Sequence, residues 1–412
     1  MVKNNKKPRL RFKGFTDEWE QRKLGEVAPL RGGYAFKSAD YCDEGVPIIR
    51  ISNILADGTI GTDFVYYKEQ QFDNEYLLEN GAVLLAMSGA TTGKVSILNT
   101  QNKAKYYQNQ RVGYFPKNKK IDYRYIATIL RSQQFINQLT SVLVAGAQPN
   151  VSSKDIDNFE FMISREKEEQ TKIGNFFYNL DNLIALHQRT CDKLLNVKKA
   201  LLDKMFSKNQ EKTPKIRFKG FFDAWEQRKL GEIVEFYSGL TYKPNDIVDD
   251  DKETLVLRSC NVQNGEIVEN DNVYVTSGVV NSKNVSQGDI IVVVRNGSRD
   301  LIGKHAVIKR NMLKTVIGAF MTGISSKYPN FVNSLLSTNQ FFIEIEKNLG
   351  ATINQITTGN FAKMNFTIPI KFDEKIKIGK MFLNLDNLIT LHQRKCEKLK
   401  NIKKALLDKM FV

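Results

Sequence analysis

From Ile173 the core-type positions step by four and three: Ile173, Phe177, Leu180, Ile184, His187, Cys191, Leu194, Leu201 and Met205 trace one seam. Lys198 interrupts it, and Phe176, Leu183 and Val197 widen it. No Pro or Gly falls between 175 and 206. This spacing predicts a long amphipathic helix with a heptad-like face. Ser164 stands where a cap is wanted, with Glu166, Glu168 and Glu169 near the positive end and Lys198, Lys199 and Lys204 near the negative end. About 34 helical residues make a rod of roughly 50 Å. A second such segment covers 378–411, with Asp373 in the capping role.

Elsewhere the pattern changes to short β-prone runs between Gly, Asn and Asp turns. PIIRISNI, GAVLLAM, GKVSIL and RVGYFP lie in the first half, followed by a predicted helix at 123–139 and a strand near 159–163. TLVLRSCNV, GDIIVVVRNG, HAVIKR and MNFTIPI lie in the second, with a helix near 330–347.

The two halves repeat. RFKGFTDEWEQRKLGE begins at Arg11 and RFKGFFDAWEQRKLGE at Arg217. IGNFFYNLDNLIALHQRTCDKLLNVKKALLDKMF begins at Ile173 and IGKMFLNLDNLITLHQRKCEKLKNIKKALLDKMF at Ile378. The chain therefore reads as two tandem halves joined near SKNQEKTP. Its predicted parts are a first strand-rich domain (1–164), a central helix and linker (165–213), a second domain (214–372) and a C-terminal helix (373–412). A rod with one apolar face needs a partner. The other rod, antiparallel, is one choice and its own globular half is the other. Joints and rods are held fixed while the globular parts share a plan but little sequence, which suits a ruler carrying two different readers. The fold class is mixed α/β, as a pseudo-two-fold tandem repeat.

Charge narrows the partner. Lys plus Arg number 61 against 45 Asp plus Glu, a net +16. Such an excess suits a polyanion, although a generic basic surface has the same composition. No apolar run reaches the roughly 18–20 residues of a membrane span. The basic start, MVKNNKKPRLRFKGF, has no apolar stretch behind it. The four cysteines (Cys42, Cys191, Cys260, Cys396) form no CxxC pair. Together these point to a cytoplasmic protein with free thiols.

Few motifs carry catalytic chemistry. SGATTGKVS, from Ser88, has three residues between its glycines and Val95 after the lysine, so it fails as an ATP-binding loop. It still suits phosphate contact through backbone N–H groups and Lys94, or it is a plain hairpin turn. There is no GxGxxG and no Asn-Pro-Pro-aromatic tetrad. Three histidines leave no zinc deaminase cluster. His187 and His392 read as polar register-setters on the rods, and His305 stands alone. No metal or cofactor site is expected. The candidate DNA-binding residues lie in loops. In the first half they are Arg31, Tyr34, Lys37, Arg50, Ser52, Asn53, Ser88, Thr91, Thr92, Lys94, Gln108, Asn109, Arg111, Gln148 and Asn150. In the second they are Tyr242, Lys243, Arg258, Asn261, Arg295, Asn296, Ser298, Arg299, Lys304, Asn354 and Gln355. Arginine can pair bidentately with guanine and Asn or Gln with adenine, while Lys and Ser mostly hold phosphate. The bland reading of each is an exposed loop residue or a buried turn satisfier.

Over essentially its whole length, the chain resembles the specificity (S) subunit of type I restriction–modification systems. The residues that carry the resemblance are WEQRKLGE at Trp19 and Trp225, GVPIIRISNI, GAVLLAMSGATTGKVSIL and the helices ending KKALLDKMF. The second half departs at NGSRDLIGKHAV. The resemblance implies two target recognition domains, each reading half of a split double-stranded DNA site, with the conserved helices packed as an antiparallel coiled coil that sets the spacing. It implies a non-catalytic chain that docks two adenine-N6 methyltransferase subunits and, in the full complex, two restriction/translocase subunits. S-adenosylmethionine, ATP and magnesium would belong to those partners. The competing readings are a coiled-coil scaffold with incidental charge and a self-contained nucleic-acid methyltransferase.

Overall fold

The structure is a computed structural model that describes residues 6–71, 74–99, 105–145, 150–208, 211–349 and 354–411. It divides into two compact units: Met1–Arg189 with Gln393–Val412, and Thr190–His392. Each long helix gives its first part to one unit and its last part to the other.

In the first unit, strands Val65–Tyr67, Val46–Ile49, Tyr106–Gln108 and Leu77–Leu78 form a sheet in that order, and Val95–Ile97, Val83–Ala86 and Val112–Phe115 form another. In the second unit the sheets run Ile247–Val248, Val273–Val275, Thr254–Leu257, Thr315–Ile317 and Glu235–Ser238, Met321–Ser325, Ile290–Val293, His305–Val307. Among the described residues each unit has one parallel pair of strands, Val46–Ile49 with Tyr106–Gln108 and Thr254–Leu257 with Thr315–Ile317. The most apolar runs, VLLA at 83 and IIVV at 290, are the fully buried centres of their sheets.

The long helices span Lys167–Met205 and Phe372–Met410, 39 residues each. They pack together and run antiparallel. In the first unit Phe177 meets Phe411, Asp181 pairs with Lys403 at 2.5 Å, and the Cys396 thiol lies 3.6 Å from Gln188. In the second, Phe206 packs on Phe382 and Lys198 pairs with Asp386 at 2.5 Å. Lys198 therefore does not break the seam: it sits on it with a carboxylate facing it. Leu183 and Val197 differ from expectation, since both are exposed. Asp373 also differs, lying inside the first helical turn rather than before it.

The helix expected at 123–139 is two helices, Tyr123–Ile129 and Gln133–Ala145, and that at 330–347 is Pro329–Leu336 and Asn339–Asn348. The cause is the same in both. The Ser132 hydroxyl accepts from Phe135 N–H and that of Thr338 from Phe341 N–H, so each starts a new helix where the apolar period continues unbroken.

The repeated RFKGF phrase is a clasp. Arg11 donates to Glu169 through Nε (2.5 Å) and Nη2 (2.8 Å), and Trp19 Nε1 donates to the same carboxylate at 3.0 Å. Leu10 N–H meanwhile donates to the Lys409 carbonyl. In the second unit Arg217 donates twice to Glu374 (2.7 and 2.9 Å), Trp225 lies 3.4 Å from it, and Ile216 N–H donates to the Lys204 carbonyl. Each phrase thus ties the start of one long helix to the end of the other. The EQRK of the phrase adds a strand against Glu160–Ile163 or Asn365–Ile368.

Candidate nucleic-acid interface

One arginine opens the same structure in each unit. Arg50 N–H donates to Asn53 Oδ1 at the start of the 3-10 turn Ile51–Asn53, and Arg258 N–H to Asn261 Oδ1 at Ser259–Asn261. The two asparagines are buried, and their amides donate to loop carbonyls: Gly61 and Asp63 in one case, Val268 and Asn270 in the other. Arg50 reaches the Asp63 carbonyl at 3.4 Å, and Arg258 the Asp271 carbonyl and carboxylate at 2.6 and 2.7 Å. Ser52 is exposed beside Asn53.

The glycine loop follows the central strand. Thr92 N–H donates to Gly89 O, Gly93 N–H to Ala86 O and Lys94 N–H to Thr91 O, with Gly93 at φ +85°. In the second unit, where the sequence departs, Ile302, Gly303 and Lys304 repeat this with Arg299 O, Val293 O and Leu301 O, and Gly303 also has φ +85°. The two loops share this glycine and the lysine after it, and the left-handed glycine sets the turn. Near this loop in the first unit the structure gathers Ser88, Thr91, Arg111 and Asn150: Thr91 Oγ1 donates to Ile51 O, Met87 N–H to Arg111 O, and Ser88 is bridged to Asn150. Ser88 is buried, Thr91, Thr92 and Lys94 half-buried, and Arg111 and Asn150 exposed. Gln148 lies outside the described residues.

The other first-half candidates are not part of that group. Gln108 is fully buried and donates to the Arg31 and Val112 carbonyls. Arg31 lies over the Tyr114 ring and donates to Leu77 O and Gln108 Oε1, and burial lowers its pKa. Asn109 accepts from Arg111 N–H. Half-exposed Tyr34 stacks on Tyr76, and Lys37 is exposed ahead of the 3-10 turn Ser38–Asp40.

In the second unit a cleft of about 1010 Å³ collects Tyr242, Arg258, Arg295, Asn296 and Asn354. Arg295 lies 4.9 Å over Phe320 and is bridged to Gln355. Asn296 donates to Ser259 Oγ and accepts from Ser298 N–H, and Asn354 donates to Gly297 O. Lys243, Ser298, Arg299 and Lys304 lie outside the cleft lining. Lys243 N–H donates to Asp246, and Arg299 pairs with Glu346 at 2.6 Å.

A type I restriction modification DNA specificity domain matches residues 16–196 and again 223–401. The chain belongs to this family. The MjaVIII specificity subunit of Methanocaldococcus jannaschii is 28% identical over 213 residues, covering 50% of this chain and 48% of that one. The chain thus spans about half the length of that relative. The putative MjaX specificity subunit of the same organism is 22% identical over 408 residues, 96% of this chain and 93% of the other. The crystal structure of an S subunit from M. genitalium shares the fold, with TM-score 0.70, 15% identity and 98% and 99% coverage. The specificity-subunit family and the two strand-rich domains on paired helices stand as the sequence implied.

Two further features of this family member went unread in the sequence. Glu169 looked like a helix-end charge and Glu374 drew no reading, yet each is buried and anchors an arginine and a tryptophan. Their signal was the recurrence of Arg and Trp eight residues apart in both phrases, with a Glu 158 residues after the first Arg and 157 after the second. The rods also keep exposed leucines at repeated places: Leu186 (57%) and Leu391 (45%), with Leu183 and Leu388 one turn before. His305 is engaged within its own domain. Its nitrogens lie 2.9 Å from the Gly303 carbonyl and 3.1 Å from Ser337 Oγ, and burial lowers its pKa. No helix is long and apolar enough to cross a membrane among the described residues.

Proposed function

We propose that this chain is the non-catalytic DNA-recognition subunit of a type I restriction–modification complex. Each strand-rich domain (1–164 and 214–372) reads one half of a split double-stranded site, and the paired helices fix the spacing. Two adenine-N6 methyltransferase subunits dock on the repeated surface, and two restriction/translocase subunits complete the assembly. S-adenosylmethionine, ATP and magnesium act on those partners.

The observation that carries this reading is a shared frame with unlike edges. The clasps, the Arg50 and Arg258 turns and the Gly93 and Gly303 turns match. The exposed loop residues do not. A pseudo-two-fold chain presents the same surface twice, which suits two identical partners. Exposed Leu186 and Leu391 lie on that repeated surface.

Of the candidate contacts, we assign Asn53, Gln108 and Asn261 to shaping the loops, because their amides are buried and engaged. Lys94 and Lys304 hold phosphate, and the exposed Arg and Asn side chains face base edges. Reconstitution with the methyltransferase, followed by mass measurement, tests the docking. Two copies per chain are expected, with Leu186→Glu or Leu391→Glu each removing one. A one-to-one complex unaffected by either substitution contradicts it.

A further inference from the structure

Six arginines are candidates for DNA contact, and the structure sorts them. Arg31 and Arg50 donate to carbonyls, Arg258 to Asp271, and Arg299 to Glu346. Arg111 and Arg295 differ. Among the described residues, neither guanidinium has a hydrogen-bond or ion-pair partner, and both residues are exposed.

These two turn out to stand at one place in the fold. Met87 N–H donates to the Arg111 carbonyl at 3.0 Å, and Val294 N–H to the Phe320 carbonyl at 3.0 Å. Positions 87 and 294 are therefore equivalents, as are 111 and 320. The residues after 87 and 294 are Ser88 and Arg295, bridged to Asn150 and Gln355 respectively. So the first domain holds serine and arginine at this pair of positions, and the second holds arginine and phenylalanine. Each domain has one arginine there, supplied from opposite members of the pair.

We propose that Arg111 and Arg295 are the specificity-determining guanine readers of their two half-sites. This deepens the DNA-recognition reading above and rests on it. The chemistry fits the base. A guanidinium presents a planar fork of donors, and guanine presents O6 and N7 side by side in the major groove. Phe320, 53% exposed, supports the Arg295 fork from below at 4.9 Å. Asn296 and Asn354 line the same cleft, their amides tied to Ser259 and Gly297. The selection also follows from what the domains share. Arg50 and Arg258 sit in identical turns, and an identical contact does not distinguish two different half-sites. Contacts common to both position the DNA, and contacts that differ specify it.

The test is methyl transfer by the chain assembled with its methyltransferase, on duplexes that carry the mapped split site with one base pair changed at a time. Four variants are compared with the natural chain: Arg111→Ala, Arg111→Lys, Arg295→Ala and Arg295→Lys. A good bidentate pair discriminates by about 1–3 kcal/mol, or roughly 5- to 150-fold. Arg295→Ala is expected to lose that preference at one G·C pair of one half-site, and Arg111→Ala at one G·C pair of the other. The lysine variants keep the charge without the fork, so they relax the same pair. Full discrimination by Arg295→Lys, even weakening across all duplexes, or relaxation at an A·T pair overturns the assignment. A natural complex that ignores the split site sinks the recognition reading itself, whereas natural discrimination with unaltered variants sinks only the two arginines.

Discussion

Glu169→Gln removes one charge from the first clasp with little change in shape. The carboxylate takes two donors from Arg11, one from Trp19 and one from Ser164. Hydrogen bonds to a charged group contribute about 1.5–3 kcal/mol each. The amide keeps one acceptor but turns an NH2 toward an existing donor, so about 3 kcal/mol is expected to be lost. Arg11→Ala is expected to cost as much or more, about 3–5 kcal/mol, because it strands a buried carboxylate. Glu374→Gln should cost less than Glu169→Gln, since Glu374 takes two donors from Arg217 and a longer 3.4 Å contact from Trp225 but, among the described residues, no hydroxyl like that of Ser164. The chain has two tryptophans, one in each clasp. With Trp225→Phe, fluorescence in urea follows the first clasp alone, and with Trp19→Phe the second. A Glu169→Gln loss below about 0.5 kcal/mol on the Trp19 signal would falsify the clasp as an anchor. The pH dependence has a definite sign. Burial alone would raise the Glu169 pKa, but the Arg11, Ser164 and Trp19 donors outweigh it and hold it below the ordinary range. Its contribution is therefore complete above the unfolded value of about 4.3 and is lost as pH falls through the lower folded value. The gap between natural and Glu169→Gln chains should close only in strong acid.

Phe411 packs against Trp19, Tyr125 and Phe177 in the first unit, so Phe411→Ala should cost about 3–5 kcal/mol on the Trp19 signal. DNA affinity of the assembled complex should fall steeply as salt rises. Lys94→Ala and Lys304→Ala should each reduce the magnitude of the log–log slope by about 1 without changing base preference; an altered preference would make these lysines base readers instead. Seven residues inserted in both long helices add about 10.5 Å and should lengthen the unspecified spacer by about three base pairs. An unchanged spacer would mean that the helices do not set it.

The rods were legible because a heptad face over this length has few other readings, and because the chain states it twice. The role of Lys198 was not, since its partner Asp386 lies far away in sequence. The helix breaks at Ser132 and Thr338 were hidden because one hydroxyl restarts a helix without disturbing the apolar period. Leu183 and Val197 looked like core because periodicity counts hydrophobicity, not burial. The loops were the least legible. NGSRDLIGK and SGATTGK share a turn that depends on one positive-φ glycine, so their sequences drift while their backbones agree. For the same reason the kinship of Arg111 and Arg295 is invisible to alignment: they sit on different segments, and only the backbone hydrogen bonds of Met87 and Val294 show that the two places correspond.

The most direct test of the account is a genome-wide map of N6-methyladenine in a host carrying the methyltransferase partner, with and without this gene. The account predicts that one split motif, two short specified blocks around an unspecified spacer, disappears when the gene is removed. An unchanged map in a host with an active partner would contradict DNA targeting by this chain.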